Sequence, residues 1–335
     1  MEHAAARTVA GFNVARAGLG LTQGGMFPAA IRTVAEWYPK EERALATGLF
    51  NTGSNIGAVT CPLVVPWLAS QFGWKAAFLV TGAAGFIWVA AWMWLYRPPG
   101  EHRGVSAEEL AHIRKDPPDP SVTIPWRELL QHRQTWAFVA GMTASAPIWW
   151  FYIYWAPDFL NKRYSLGLTQ SSLPLMAMFL AASFGSVGGG WLSSMLLRRG
   201  WTVNAARKIA LLVCAVAVVP VIATPLVPRP WMAVTLVGLA SAAHSGFAAN
   251  LFTLVSDTVP KQAVSSVVGI GGMAGALGGM AFAQIVSRVL DLTHNNYFVP
   301  FAMASLAYLI GLSAIHLLSP RLEPMKLHLA ESGVA

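Results

Sequence analysis

Charged residues divide this chain into long uncharged runs. Eight segments contain no Asp, Glu, Lys or Arg: 44–74, 76–96, 134–157, 164–197, 209–228, 230–256, 262–287 and 292–320. Each is long enough for the roughly 20 residues that a helix needs to cross a bilayer. Residues 8–31 are apolar apart from Arg16 and make a ninth candidate span. Because backbone groups in lipid must be paired within their own segment, the pattern predicts nine transmembrane helices.

Composition supports a lipid-facing surface. Hydrophobic residues make up 55% of the chain and charged residues only 11%, with a mean hydropathy of +0.50. Soluble domains average roughly 25% charged residues. The formal net charge of +8 is spread between the apolar runs and not gathered on one face, which argues against nucleic-acid binding. The fold class is therefore an all-α polytopic membrane protein.

Lysine and arginine set the predicted orientation. With nine spans, sixteen of these residues fall on one side, six on the other and one, Arg16, inside a span. The sixteen mark the cytoplasmic side, which also receives the C-terminus. Four regions follow: a three-helix bundle at 1–96, a cytoplasmic linker at 97–133, a six-helix bundle at 134–320 and a tail at 321–335. Within the linker, SAEELAHIRK (106–115) predicts a short helix with Ser106 as its N-cap.

The chain repeats itself at an offset of 221 residues. EWYPKEERALATG (36–48) and DTVPKQAVSSVVG (257–269) match at four positions, and three further Gly or Pro pairs share the offset. Parallel repeats of helices are an architecture of membrane carriers. The three spans before the linker therefore correspond to the last three after it. On this interpretation the first half lacks three helices, and the sequence is expected to be a fragment or a coding sequence started late.

Three segments carry a resemblance to a known family: residues 15–58, residues 147–164 and residues 250–279. The first begins ARAGLGLTQGGMFPAAIRTVAEWYPK, the second reads PIWWFYIYWAPDFLNKRY, and the third begins NLFTLVSDTVPK. They resemble the anion:cation symporter branch of the major facilitator superfamily, most closely its hexuronate and sugar-acid transporters. The resemblance implies twelve helices in two bundles, of which this chain would hold the fourth to the twelfth.

The resemblance also implies a function. Such carriers lie in the cytoplasmic (inner) membrane and take up a carboxylate sugar with a cation by alternating access. The expected partners are a small sugar acid, a coupling cation (H⁺ or Na⁺) and the bilayer, with the protein acting as a monomer. No cofactor, metal or nucleic acid is expected.

Arg16 and Gln23 are the first candidate site residues. A charge inside a span is costly and usually faces a bundle interior or a watery cavity, and a guanidinium can bind a carboxylate through two parallel hydrogen bonds. The alternative is that Arg16 extends to the lipid headgroups. Gln23 lies two helical turns further on, on the same face. Where this sequence has Gln23 the family commonly has a proton-carrying glutamate, so its amide argues against proton coupling there.

Polar residues of the fifth family span are the next candidates. Asn51, Ser54 and Asn55 suit sugar hydroxyls, although bonding between helices would also explain them. In the aromatic run WWFYIYW (149–155), Tyr152 is the candidate for stacking on a sugar ring. An aromatic belt at the membrane interface is the alternative interpretation.

The tenth family span offers His244, Ser245 and Asn250. The repeat places His244 opposite Gln23 across the expected central cavity. With an unperturbed pKa of about 6.5, histidine can carry a proton near neutral pH. A neutral core histidine is the equally open alternative.

Charged pairs at the predicted cytoplasmic helix ends are candidate gates. Glu36 with Arg43, and Asp257 with Lys261, could form salt bridges that break as the bundles rock, or they could simply terminate helices. The expected function is cation-coupled symport of an organic anion. The alternatives are a transporter-like sensor and a fragment that binds without transporting. An enzyme is disfavoured because no nucleophile, metal cluster or oxyanion element is recognisable.

Overall fold

The computed structural model describes residues 1–23, 26–38, 56–57, 59–115, 124–167 and 169–325. In these ranges the regular structure is entirely helical. The chain separates into two units, Met1–Pro120 and Ser121–Ala335. The division lies inside the predicted linker 97–133, where DPPDP (116–120) interrupts the chain with three prolines that disfavour helix.

The regular structure in the described part of the first unit is helical. Its elements are α1 (Glu2–Ala5), α2 (Val9–Gln23), α3 (Met26–Trp37), α4 (Val59–Phe72), α5 (Trp74–Leu95), a 3₁₀ turn (Pro99–Glu101) and α6 (Ala107–Ile113). The predicted linker helix is confirmed as α6, because the Ser106 hydroxyl accepts a hydrogen bond from the Glu109 N–H at 3.1 Å. Apolar side chains of α5 remain exposed, as in Trp94 at 79%, which fits contact with lipid tails.

The second unit holds longer helices packed around a continuous core. Its elements are α7 (Trp126–Leu129), α8 (Arg133–Tyr164), α9 (Ser172–Arg198), α10 (Val203–Val218) continued by a 3₁₀ segment (Val219–Leu226), α11 (Pro230–Thr258), α12 (Lys261–Leu292) and α13 (Phe298–Leu318). The largest fully buried side chains include Phe138, Phe151, Phe247 and Tyr308. Core packing therefore draws on α8, α11 and α13 together.

Six helical segments in the described part of the chain are long and apolar enough to cross a membrane. They are Trp74–Leu95, Ser172–Arg198, Val203–Leu226, Pro230–Val255, Ala263–Leu292 and Phe298–Leu318. Each coincides with one of the nine predicted spans, so the protein is a multi-pass membrane protein. Helix α8 is longer still, at 32 residues, and carries Pro147 and Pro157 in its interior. The predicted total of nine stays a prediction.

Several predicted boundaries were wrong because uncharged runs and helices do not end at the same residues. The span placed at 164–197 begins at Ser172, since α8 continues to Tyr164 and ends at Ser165 in a left-handed conformation (φ 56°). The span placed at 209–228 begins at Val203 and includes Arg207, whose charge is paired. The span placed at 292–320 begins at Phe298, after a turn.

Small residues bring helices of the second unit close together. A Cβ atom on Gly185 would overlap the backbone of Ala242, and one on Gly189 would overlap Gly246. Glycine therefore lets the backbones of α9 and α11 approach as no larger residue could. The spacing-four glycines of α12 play the same part against α8: Gly275 faces Ala146.

The second copy of the sequence repeat is a turn between two helices. Helix α11 ends at Thr258, and α12 starts at Lys261 with Pro260 as its N-cap. Pro260 cannot donate a backbone hydrogen bond to continue α11, but proline is well tolerated at a helix start. In the first copy α3 ends at Trp37, and residues 39–48 lie outside the described part of the chain.

Candidate functional site

A buried histidine in the second unit joins three helices. His244 on α11 forms a hydrogen bond through Nδ1 with the Tyr308 hydroxyl on α13, at 2.8 Å. Its ring stacks on Trp149 of α8, with centroids 4.9 Å apart and planes 7° from parallel. We call Trp149, Tyr152, His244 and Tyr308 the histidine–aromatic cluster. The sequence singled out His244 as the titratable group of this span, and the structure adds both of its partners.

Tyr152 supplies an unpaired polar atom to the histidine–aromatic cluster. Its side chain is only 1% exposed, and its hydroxyl has no hydrogen-bond partner among the described residues. A buried hydroxyl left unpaired costs about 1–3 kcal/mol. Binding a polar ligand group or a water molecule would remove that cost. Tyr152 thus has one property expected of a sugar contact, an unpaired hydroxyl, while its ring is packed in the core.

Asn250 links α11 to α9. Its Nδ2 donates to the carbonyl oxygens of Gly189 and Gly246, both at 2.9 Å. Its Oδ1 is buried and has no partner within the described ranges. The amide nitrogen therefore bonds between helices, while the amide oxygen remains able to accept a hydrogen bond. Ser245, the third candidate on α11, is partly buried.

Candidates of the first unit are only partly described. Arg16 and Gln23 lie on α2, and both side chains are exposed. Asn51, Ser54 and Asn55 lie outside the described residues. Their assignment to substrate binding stays a prediction.

Two acidic gate candidates have partners that the sequence did not indicate. The Glu36 carboxylate accepts a hydrogen bond from the Tyr96 hydroxyl at 2.7 Å. The Asp257 carboxylate pairs with Nε of Arg207 at 2.8 Å. The proposed partner Arg43 lies outside the described residues, as does the side chain of Lys261.

Arg207 is buried between helices. Its side chain reaches from α10 to Asp257 at the end of α11 and donates through Nη1 to the Ser193 hydroxyl on α9, at 2.7 Å. Only 8% of the residue is exposed. Sequence reasoning assigned Arg207 to a loop because it stands just before an uncharged run. Thr202, which caps the N-terminus of α10 before Arg207, was the signal that could have placed Arg207 on the helix.

An open cleft lies between α8 and α12. It has a volume of about 290 Å³ and is lined mainly by aromatic and small residues: Pro147, Trp150, Phe151, Tyr154, Trp155, Ala276, Gly279, Met280, Phe282 and Ala283. Trp150 and Tyr154 stack on each other with centroids 5.8 Å apart. The aromatic run of α8 therefore points partly into the core and partly into an accessible cleft.

Long apolar helices that bury a histidine, a partly bonded amide and an ion pair define a polytopic membrane protein of the carrier class, in which ionisable residues within spans mark function. Residues 4–283 match the model of the Major Facilitator Superfamily. The chain belongs to this superfamily.

Its curated relatives include sugar-acid transporters. The chain is 30% identical over 288 residues to the hexuronate transporter of Escherichia coli strain K12, covering 84% of this chain and 66% of that relative. It is 29% identical over 318 residues to the D-galactonate transporter of E. coli strain CFT073, covering 91% of this chain and 72% of the relative. The chain thus spans about two thirds of the hexuronate transporter's length.

The fold is shared with a solved transporter structure. A bacterial homolog of the human lysosomal transporter Spinster, in an inward-facing and occupied conformation, aligns with a TM-score of 0.68 at 20% identity. The alignment covers 95% of this chain and 78% of that structure.

Proposed function

We propose that this protein carries a sugar acid, a hexuronate or an aldonate, across the cytoplasmic membrane by alternating access, together with a cation. The observation that supports it most directly is the similarity to transporters named for hexuronate and D-galactonate over 84% and 91% of the chain. A carrier of this class needs one group for the carboxylate and several for the hydroxyls. The chain offers both kinds.

In this proposal Arg16 binds the carboxylate. A guanidinium and a carboxylate form two parallel charge-assisted hydrogen bonds, an arrangement that fixes orientation as well as affinity. Gln23, two turns further along the same face of that helix, would form a hydrogen bond with a hydroxyl of the sugar. The amides and hydroxyl of Asn51, Ser54 and Asn55 would do the same.

In the second unit the histidine–aromatic cluster would bind the sugar. The free Tyr152 hydroxyl and the free Asn250 Oδ1 are the polar atoms that a ligand could satisfy. His244 is fixed in position by Trp149 and Tyr308, so it can present Nε2 in a constant orientation. A fixed imidazole can hydrogen-bond a hydroxyl or exchange a proton.

The experiment is counterflow of labelled D-glucuronate and D-galactonate in proteoliposomes containing the full chain. Arg16→Ala should weaken substrate binding about 10- to 100-fold, because a hydrogen bond to a charged group contributes roughly 1.5–3 kcal/mol. Arg16→Lys keeps the charge but loses the planar fork of the guanidinium. Its substrate affinity should lie between that of the original protein and that of Arg16→Ala. Arg7→Ala, an exposed arginine before α2 in the same unit, is the matched control. Unchanged counterflow in Arg16→Ala would contradict the assignment.

A sensor that binds a sugar acid without moving it is the second candidate. It is favoured by the loss of ionisable groups, since Gln23 stands where the family commonly has a glutamate and MTASAP (142–147) is uncharged. Saturable substrate binding without any counterflow in the same vesicles would support the sensor and reject the carrier.

A further inference from the structure

A second cavity in the second unit is basic and lies at the end of the bundle. It occupies about 440 Å³ between the start of α8 and the segment that follows α13. We call it the basic cavity, and the lining residues that matter are Gln131, His132, Arg133, Gln134, Ser319 and Arg321. It lies on the side that the lysine and arginine counts predict to be cytoplasmic.

Two arginines of the basic cavity are free to bind an anion. Arg133 and Arg321 are exposed, and neither forms an ion pair within the described residues. Each guanidinium presents five N–H donors in a planar fork that matches phosphate as well as carboxylate. His132 adds a ring that becomes a donor at both nitrogens when protonated.

The acceptors around the basic cavity are largely occupied. Lys208 Nζ binds the carbonyl oxygens of Ser319 at 2.8 Å and Pro320 at 2.7 Å, so these carbonyls do not oppose an incoming anion. The Glu323 carbonyl accepts from Gln134 Nε2 at 3.1 Å. The Glu323 carboxylate is the single acidic group on the cavity lining, against Arg133 and Arg321. The balance of charge on the lining is positive.

Exposed aromatic and aliphatic side chains lie close in sequence to the residues that line the basic cavity. Trp136, in the first turn of α8, is 47% exposed and donates its indole N–H to the Leu130 carbonyl at 2.8 Å. Trp126 is 51% exposed, and Leu317, at the end of α13, is 76% exposed. Tryptophan concentrates at the membrane–water interface, where its ring lies at the level of the headgroups. The cavity is therefore at the depth where lipid phosphates lie.

We propose that the basic cavity binds the phosphate of an anionic phospholipid, with Arg133 and Arg321 as its principal ligands. The lipid's phosphate enters the polar cavity while its acyl chains lie along the exposed apolar side chains of α8 and α13. Basic pockets between helices on the cytoplasmic side are suited to anionic headgroups, and the cytoplasmic leaflet supplies them. This site is separate from the residues proposed for sugar-acid transport.

The test is native mass spectrometry of the full chain released from detergent with phosphatidylglycerol. Arg133→Gln/Arg321→Gln should bind phosphatidylglycerol roughly 30-fold more weakly, since each basic residue near the surface contributes roughly a five- to sixfold factor in affinity. Arg163→Gln/Arg288→Gln, two exposed arginines near the C-terminal ends of α8 and α12, is the matched control and should retain the lipid. Arg133→Lys/Arg321→Lys should retain most of the binding, because the charge is kept.

Two competing ligands separate the sources of phosphate. Phosphatidylcholine should bind weakly to the original protein, and inorganic phosphate at millimolar concentration should not displace phosphatidylglycerol. Equal retention of phosphatidylglycerol by the glutamine variant and the control would overturn the proposal. So would displacement by inorganic phosphate, which would identify a site for a free anion. Thermal unfolding of each variant without lipid shows that a loss of binding does not come from misfolding.

Discussion

Buried polar side chains in the second unit form hydrogen bonds and ion pairs with side chains of neighbouring helices. Arg207 joins Asp257 and Ser193, and His244 joins Tyr308. A polar group buried in a bundle costs free energy unless it is bonded. These pairs therefore determine which helices stay together, and the Tyr152 hydroxyl and Asn250 Oδ1 are among the buried atoms that have no partner in the described residues.

The first residue-scale prediction concerns Tyr308. Tyr308→Phe removes the hydroxyl that bonds His244 and leaves a buried ring nitrogen unpaired. The free energy of unfolding should fall by about 1–3 kcal/mol, measured by thermal unfolding in detergent. Tyr154→Phe removes a hydroxyl from a side chain that is 48% exposed and should change stability by less than about 0.5 kcal/mol. A Tyr308→Phe protein as stable as the Tyr154→Phe control would show that the hydrogen bond contributes nothing.

The second residue-scale prediction concerns Arg207. Asp257→Asn leaves this largely buried guanidinium without its counter-ion, because the Ser193 hydroxyl remains as a neutral partner only. The free energy of unfolding should decrease by about 1.5–3 kcal/mol, the contribution of a hydrogen bond to a charged group. Chemical denaturation measures it. Asp291→Asn, which changes an acidic residue near the C-terminal end of α12, is the control, and an equal effect in both would contradict the assignment of Arg207.

At the scale of elements, close approach of α9 and α11 depends on glycine at particular positions. Gly189 faces the Gly246 backbone, whereas the neighbouring Gly188 has open space at its Cβ position. Gly189→Leu should destabilise the protein by at least about 1–3 kcal/mol, the cost of overpacking. Gly188→Leu, one residue away on the same helix, should be close to neutral. Size-exclusion chromatography and thermal unfolding would measure both, and equal behaviour would refute the close contact.

The segment directly after α13 also ties elements together. The Met325 N–H donates to the Thr258 carbonyl at 2.6 Å, and the Met325 side chain is only 4% exposed. The Leu322 N–H donates to Asn204 Oδ1 at 3.3 Å. The segment after α13 is thus bonded to the turn that joins α11 and α12, next to Asp257. A sequence-based interpretation made these residues a cytoplasmic tail and had no signal for these bonds.

For the whole molecule, Gln23 decides the predicted dependence on protons. Gln23→Glu would restore a titratable group at the position where the family commonly has one. Uptake should then become stimulated when the outside is acidified, with one coupled proton supporting up to about tenfold accumulation per pH unit of gradient. Uptake by the original sequence should respond less. Gln71→Glu, an exposed glutamine on α4 in the same unit, controls for the added charge.

Two outcomes would count against this view of coupling. If the original sequence is already stimulated as strongly as Gln23→Glu, coupling does not need position 23. If Gln71→Glu gains the same stimulation, the effect comes from the charge alone. Uptake assays at outside pH 5.5 and 7.5 distinguish these outcomes.

The sequence by itself determined that this protein lies in a lipid bilayer and that it is built from helices. Runs of 20 or more uncharged residues predict helices in a bilayer, because a helix pairs its backbone groups within its own segment. The six described spans, the α6 cap at Ser106 and the turn at Pro260 all follow from local chemistry. His244 could be singled out because an ionisable residue in an apolar run is rare.

Only the tertiary structure decided which residues are partners. The bonded partners are 50 to 67 residues apart in the sequence: His244 with Tyr308, Arg207 with Asp257, and Thr258 with Met325. Such pairs depend on how helices pack, and a helix periodicity contains no information about its neighbour. The basic cavity arises in the same way, because its two arginines come from the start of one helix and the segment after another. The local sequence pattern therefore determines the helices, whereas the packing of those helices against one another determines the candidate binding sites.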